Sequence, residues 1–210
     1  MAEKTPWIAL EYSQAHFDSK KHIAYYCREY VSRGGYRASI TNDLVSNFKK
    51  RVNAPPTELE YKKKAIEQFA NELIDFFSTI VTIDQIKHRS CMTWIPPSSA
   101  KDSPLYDNRV EQVVAKVCSY TGITSVELFT NRNTTNPAHL GGSRSPQDIA
   151  NNLVWCGNNL LDNYSIVLIV DDVFTTGGHF VAMHNLIKGR YPNINVVGTI
   201  WAKTVWSTDG

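Results

Sequence analysis

One run constrains the fold more than any other: "SIVLIVDDVFTTGGHF", Ser165 to Phe180. Its five consecutive apolar residues read as a strand buried on both faces, the habit of a central strand in a parallel sheet. They lead straight into Asp171 and Asp172, then Thr175, Thr176, Gly177 and Gly178. Adjacent carboxylates repel each other and resist burial, so this strand end needs hydroxyls or positive charge close by. In an open parallel sheet, ligands bind beyond the carboxyl ends of the strands, where this pair emerges. The glycines allow a tight turn and close backbone approach. Exposed amides at the start of the following helix, with two threonine hydroxyls beside them, make an anion site. A phosphorylated sugar offers both the hydroxyls and the anion.

The surrounding pattern supports that placement. From about residue 86 the chain alternates between strand and helix. "CMTWIPP" reads as a strand ending in a loop, and "SPLYDNRVEQVVAKVCSYTG" as a helix with Ser103 as N-cap, Pro104 in the first turn and Gly122 as terminator. "ITSVELFT" reads as a strand, "SPQDIANNLVWCG" as a helix behind a second Ser-Pro cap, "SIVLIV" as a strand, "GGHFVAMHNLIKGR" as a helix and "INVVGTIWAK" as a last strand. This order predicts an α/β fold with a parallel sheet and right-handed crossovers. Residues 1–85 read instead as a helical accessory region, separate from an α/β domain over 86–210. There, "SQAHFDSKKHIAYYCREYVSRGG" places Phe17, Ile23, Tyr26, Tyr30 and Val31 at mixed three- and four-residue steps. "TNDLVSNFKKRV" offers a short helix, with Leu44, Val45 and Phe48 on one face. "PPTELEYKKKAIEQFANELIDFFSTI" carries a Thr57-x-x-Glu60 capping box and apolar residues at helical spacing. Its Lys62-Lys63-Lys64 run reads as a solvated face.

Composition removes several function classes. With 22 Lys plus Arg against 20 Asp plus Glu and a net charge of +2, there is no electrostatic case for general nucleic-acid binding. No apolar run approaches the roughly 18 residues of a membrane span, and the N-terminus lacks the signal-peptide pattern, so a cytoplasmic location is expected. Cys27, Cys91, Cys118 and Cys156 are scattered, without zinc-ligand spacing, and read as small apolar residues.

Val167 to Phe180, "VLIVDDVFTTGGHF", resembles the PRPP-binding signature of the type I phosphoribosyltransferases, and residues 88–206 resemble that fold more loosely. The phrase "GGSRSPQDIANNL" ahead of it is most similar to the ComF-like, competence-type members. The resemblance implies that Asp171 and Asp172 hold the ribose 2- and 3-hydroxyls, and that Thr175, Thr176, Gly177, Gly178 and His179 form the 5-phosphate loop. It places a pyrophosphate loop at "TWIPPSSAKDSP", with Pro97, Ser98, Ser99 and Lys101 as donors and scaffold; the same residues also suit a plain Pro/Ser turn. "NRNTTNPAHLGGSR" stands where the family has a mobile lid, making Arg132 and Arg144 the cations for pyrophosphate and Gly141-Gly142 the hinge. A surface loop without chemistry is the competing reading.

Three features depart from the family. Helices stand where ComF-like proteins often carry a zinc module. The general base that purine-salvage enzymes place inside the signature is missing from Val173, Phe174 and Thr175, which disfavours hypoxanthine–guanine salvage. His179 replaces a common threonine, and either adds an imidazole near the phosphate or simply begins the helix. Trp201 and Lys203 lie where a base would stack and a lysine would reach a carbonyl, with core packing and a solvated lysine as the alternative. Tyr25, Tyr26, Tyr30 and Tyr36 are candidates to line a hood formed by residues 1–85.

The implied reaction displaces pyrophosphate from C1 of PRPP by a nitrogen nucleophile, through an oxocarbenium-like transition state that needs charge and position rather than a covalent bond. Mg2+ is the implied cofactor, carried by PRPP and water, and Asp171, Asp172, Arg132 and Arg144 are the implied catalytic set. Two further readings stand beside the transferase: a non-catalytic sensor of PRPP or a nucleoside monophosphate, and an accessory protein of DNA uptake or antiviral defence. The accessory protein would dock a partner, or a second copy of the chain, on its N-terminal helices.

Overall fold

The computed structural model of the chain describes residues 6–11, 15–80, 83–135 and 145–206. Its first half contains β1 (Ile8–Ala9), β2 (Ile23–Val31), α1 (Ile40–Phe48), α2 (Pro56–Ile80), α3 (Ile83–Ile86), β3 (Ser90–Trp94) and α4 (Arg109–Thr121). Then follow β4 (Thr124–Ser125), β5 (Phe129–Asn131), α5 (Pro146–Asn152), β6 (Leu153–Trp155), β7 (Ile166–Phe174), α6 (Gly178–Arg190) and β8 (Asn195–Val205). Six strands form one sheet in the order β1-β2-β8-β7-β3-β4. All its pairings are parallel except β1 against β2. The protein is thus mixed α/β, with a mostly parallel central sheet.

The alternation along β7 sorts the layers. Val167 and Ile169 pack with Phe180, Met183 and Ile187 of α6 on one face. Leu168 and Val170 pack on the other, with Phe48 of α1, Phe69 and Leu73 of α2, and Val113 and Val117 of α4. Each fully buried side chain of this kind contributes about 1.5–3 kcal/mol. The chain runs from β3 outward to β4 through α4 on one face, then from β7 outward to β8 through α6 on the opposite face. The strand order therefore reverses between β3 and β7, the place where a parallel α/β sheet opens a crevice at its carboxyl edge.

Several sequence expectations need correction. The expected first helix is instead β2, paired in parallel with β8 from Ile23 opposite Val197 to Val31 opposite Val205. Residues before 86 thereby supply a strand to the sheet, and Tyr25, Tyr26 and Tyr30 ride on it. Side-chain burial outweighs the helix-like spacing: Ala24 and Tyr26 join one core layer and Cys27 the other. The α2 helix starts at Pro56, with the Pro55 carbonyl accepting from the Leu59 amide at 3.1 Å, so Thr57 lies inside the first turn rather than at the cap. The α4 helix starts at Arg109. Ser103 closes only a local turn, where its Oγ accepts from the Leu105 amide at 3.2 Å. Gly122 does end α4, at φ 73. "ITSVELFT" divides into β4 and β5, and β5 pairs with β6 in a separate antiparallel ribbon. Lys62 is buried, unlike the exposed Lys63 and Lys64. Cys27 and Cys91 are buried, whereas Cys118 and Cys156 are half-buried. Among the described residues no helix is long and apolar enough to cross a membrane.

Candidate ribose-phosphate site

The strand β7 keeps its ladder past the aspartates, with Asp171 opposite Ile200 and Phe174 opposite Lys203 on β8. Asp172 is buried and turns toward the α1/α2/α4 layer, as Leu168 and Val170 do. Two cations meet it there. Arg109, the first residue of α4, donates from Nη2 and Nε to Asp172 Oδ2 at 2.9 and 3.2 Å. Lys49, at the end of α1, reaches Asp172 Oδ1 at 3.2 Å. The Arg109 Nη1 donates to Asp107 Oδ2 at 2.8 Å, and Lys62 Nζ reaches the same oxygen at 2.7 Å. A five-membered charge chain results: Lys49, Asp172, Arg109, Asp107 and Lys62.

Helix ends bring these groups together. Asn42 near the start of α1 accepts from the Val31 amide and donates to the Val31 and Gly35 carbonyls, at 2.9, 3.0 and 2.8 Å. That pins α1 to the carboxyl end of β2, and at the end of its nine residues the helix delivers Lys49 to the edge of β7. Phe48 packs its ring 5.4 Å from the Arg109 guanidinium.

The two aspartates are electrostatically opposite. Burial pushes Asp172 up, but the Lys49 and Arg109 charges and their hydrogen bonds outweigh it and hold the carboxyl well below the usual range. Burial and the neighbouring Asp172 charge push Asp171 up. Among the described residues Asp171 forms no ion pair; its Oδ1 accepts from the Asp172 amide at 2.8 Å. Asp172 is thus an anchored anion, and Asp171 a carboxyl with a proton within reach of neutral pH.

Thr175 and Thr176 lead into Gly177, which adopts φ 80 and opens α6 without a side-chain cap. The first-turn amides of α6 thereby stay clear of any capping side chain. A bracing segment lies against the turn: the His16 amide donates to the Thr176 carbonyl at 3.2 Å, and Phe17 packs edge-on to Phe174 at 5.3 Å. His179 is exposed in the first turn of α6.

The other expected site residues divide. The loop after β3 and the loop after β5 do meet: the Thr135 amide donates to the Ser98 carbonyl at 2.8 Å, and the Ala100 amide to Thr134 Oγ1 at 3.0 Å. The Asn131 side chain donates to the Pro97 carbonyl, and Ser99 is half-buried between them. The peptide bonds at Pro96 and Pro97 are trans. Lys101 is exposed, and its ammonium pairs with Glu127 at 2.6 Å. Arg132 is exposed, and its amide donates to the Asn152 carbonyl at 2.8 Å. Arg144, Gly141 and Gly142 lie outside the described residues. Trp201 is no base platform: it is fully buried, stacked on Phe69 at 4.9 Å, and donates from Nε1 to Glu72 at 2.8 Å. Lys203 is buried too, 3.2 Å from Glu29 and over the Tyr26 ring at 4.7 Å, which corrects the reading of it as a solvated lysine.

The residues touching Asp172 were not singled out from the sequence. Their signal was weak but present, as Asp107 and Arg109 stand at the start of one helix and the Lys49-Lys50-Arg51 run at the end of another. No protein-family model matches the chain, and no curated protein matches it.

Proposed function

We propose that the protein binds a 5-phosphorylated ribose, with PRPP as the leading ligand, and transfers its phosphoribosyl group to a nitrogen nucleophile in the manner of a type I phosphoribosyltransferase. One observation carries the reading: an aspartate pair lies near the carboxyl end of the interior strand, at the reversal of strand order, and the strand runs on to Phe174 ahead of a left-handed glycine turn opening an uncapped helix. Carboxylates suit ribose hydroxyls, and the α6 amides suit the 5-phosphate. The loops after β3 and β5, tied together at Ser98 and Thr135, border the same edge.

The donor set also suits Mg2+ in its usual mode, which takes one or two carboxylates plus substrate phosphates and retained waters. Asp171 is the carboxylate not claimed by a cation among the described residues, and would hold the ion through water. When bound, the ion neutralises charge on the departing pyrophosphate. Asp172 orients the sugar through its hydroxyls, and the α6 turn fixes the phosphate, so positioning is the protein's main contribution.

A second reading, a non-catalytic sensor of the same ligand, draws on the cations that already occupy both oxygens of Asp172. Calorimetric titration of PRPP with Mg2+ tests the shared claim. Micromolar binding to the wild type, lost in Asp171→Asn/Asp172→Asn with the fold intact, is expected. A folded wild type that ignores PRPP and nucleoside monophosphates overturns both readings. Pyrophosphate release in a nucleobase screen then separates enzyme from sensor.

A further inference from the structure

The two cations on Asp172 are held in different ways. Arg109 has a side chain one-fifth exposed; its guanidinium is shared between Asp172 and Asp107 and packs over Phe48. A planar fork fixed on three sides has nowhere to go. Lys49 is 40% exposed, and Asp172 is its only ion-pair partner among the described residues. An ammonium on a flexible four-carbon stem changes partners readily. The adjacent Lys50 is already committed to Glu58 at 3.0 Å, which leaves Lys49 as the exchangeable charge.

We infer that Lys49 determines specificity: it leaves Asp172 when ribose hydroxyls claim that carboxylate, and pairs instead with an anionic group on carbon 1 of the sugar. The site thereby prefers a ribose 5-phosphate carrying a diphosphate at that carbon over one carrying a hydroxyl. The exchange is charge-balanced. Asp172 trades an ammonium for hydroxyl donors and keeps Arg109, while Lys49 trades one oxyanion for another. The inference rests on the phosphoribose reading above. It moves the discriminating cation from the loop of Arg132 and Arg144 to the end of α1, a segment that the sequence had assigned to a separate helical region.

The test compares PRPP with ribose 5-phosphate by calorimetry in Mg2+, on the wild type, Lys49→Met and Lys49→Arg. Charge-assisted contacts of this kind are worth about tenfold or more in affinity, so the wild type should favour PRPP by at least about tenfold. Lys49→Met should lose most of that preference while binding ribose 5-phosphate at least as well as the wild type does, since no ammonium then has to leave Asp172, and Lys49→Arg should recover the preference. Lys49 is exposed at a helix end, so the variants should fold, and a thermal melt checks this. A PRPP preference that survives in Lys49→Met overturns the inference, as does an equal loss of both ligands, which marks a merely structural role. If the wild type binds both sugars equally, the inference falls and the phosphoribose reading stands. If it binds neither, both fall.

Discussion

Replacing Gly177 with alanine probes the turn on which the phosphate reading depends. The residue sits at φ 80 and ψ 2, a conformation that costs an L-residue about 1–2 kcal/mol. The new methyl would stand 2.8 Å from Phe174 Cζ and 2.9 Å from Phe17 Cβ. Both aromatic residues are 2% exposed, so neither can swing into solvent, and overpacking adds about 1–3 kcal/mol. The sum, about 2–5 kcal/mol, is a large share of the ~5–15 kcal/mol that holds a domain together. Gly189 in the same helix provides the control, because an added methyl there meets nothing within 4 Å. Gly189→Ala should stabilise by up to about 1 kcal/mol through the helix preference alone. Urea unfolding followed by tryptophan fluorescence measures both, with Cm and m reported separately. If Gly177→Ala loses less than about 1 kcal/mol at unchanged m, the turn is not held in the conformation described. The steric argument then fails with it.

Two further tests concern the charges. Arg109→Met strips Asp172 and Asp107 of a shared partner and should cost about 3–5 kcal/mol; adding Asp172→Asn should return part of this, and strict additivity would show that the two are not coupled. Asp171 gives a pH signature. Its folded carboxyl is raised from 3.8 to about 7, so between those values the folded state keeps a proton that the unfolded chain has lost, and stability falls as pH rises until the full penalty stands above pH 7. Asp171→Asn removes the penalty, so its advantage over the wild type should be larger at pH 8 than at pH 5; an equal difference at both would place the raised carboxyl elsewhere. Asp172 adds no slope in that window, because its depressed carboxyl stabilises above 3.8 and loses that effect only on further acidification.

The parts of the fold legible in the sequence were those whose pattern was set locally. Val167–Val170 is apolar on both faces and can only be an interior strand, and Gly122 stops α4 because an αL residue is needed there. The β2 strand was read wrongly for a physical reason. Its Arg28 looks like a solvent-facing residue, which weakens the alternation expected of a buried strand. In the structure that guanidinium is bound by Glu72 of α2, which also accepts from the Gln68 side chain and Trp201 Nε1. A polar side chain is admitted to the interior by a partner 44 positions away, and no window of local periodicity contains that partner. The Ser103-Pro104 cap misled in a similar way. Its chemistry is correct for a helix start, but the chain spends it on a turn, and α4 begins only at Arg109, where the side chain can reach Asp172 and Asp107.

The candidate site divides along the same line. The aspartate pair and the glycine turn are contiguous, so their chemistry could be read directly. The cations could not, because Lys49, Lys62 and Arg109 come from the end of α1, the first turns of α2 and the start of α4. Yet the sequence did contain the demand for them. A buried, ionised Asp172 beside a second carboxyl is untenable without positive charge, so some element had to deliver a cation to the carboxyl end of β7. Only a parallel sheet with helices on both faces brings helix ends to that edge, and the α1/α2/α4 layer supplies them on the face where Asp172 points. An acidic pair after a buried apolar run is therefore a statement about distant residues as much as about a ligand. Lys49 connects the two in the inference drawn above, because it shares with Arg109 the neutralisation of Asp172 and is the more exposed and less constrained of the two cations.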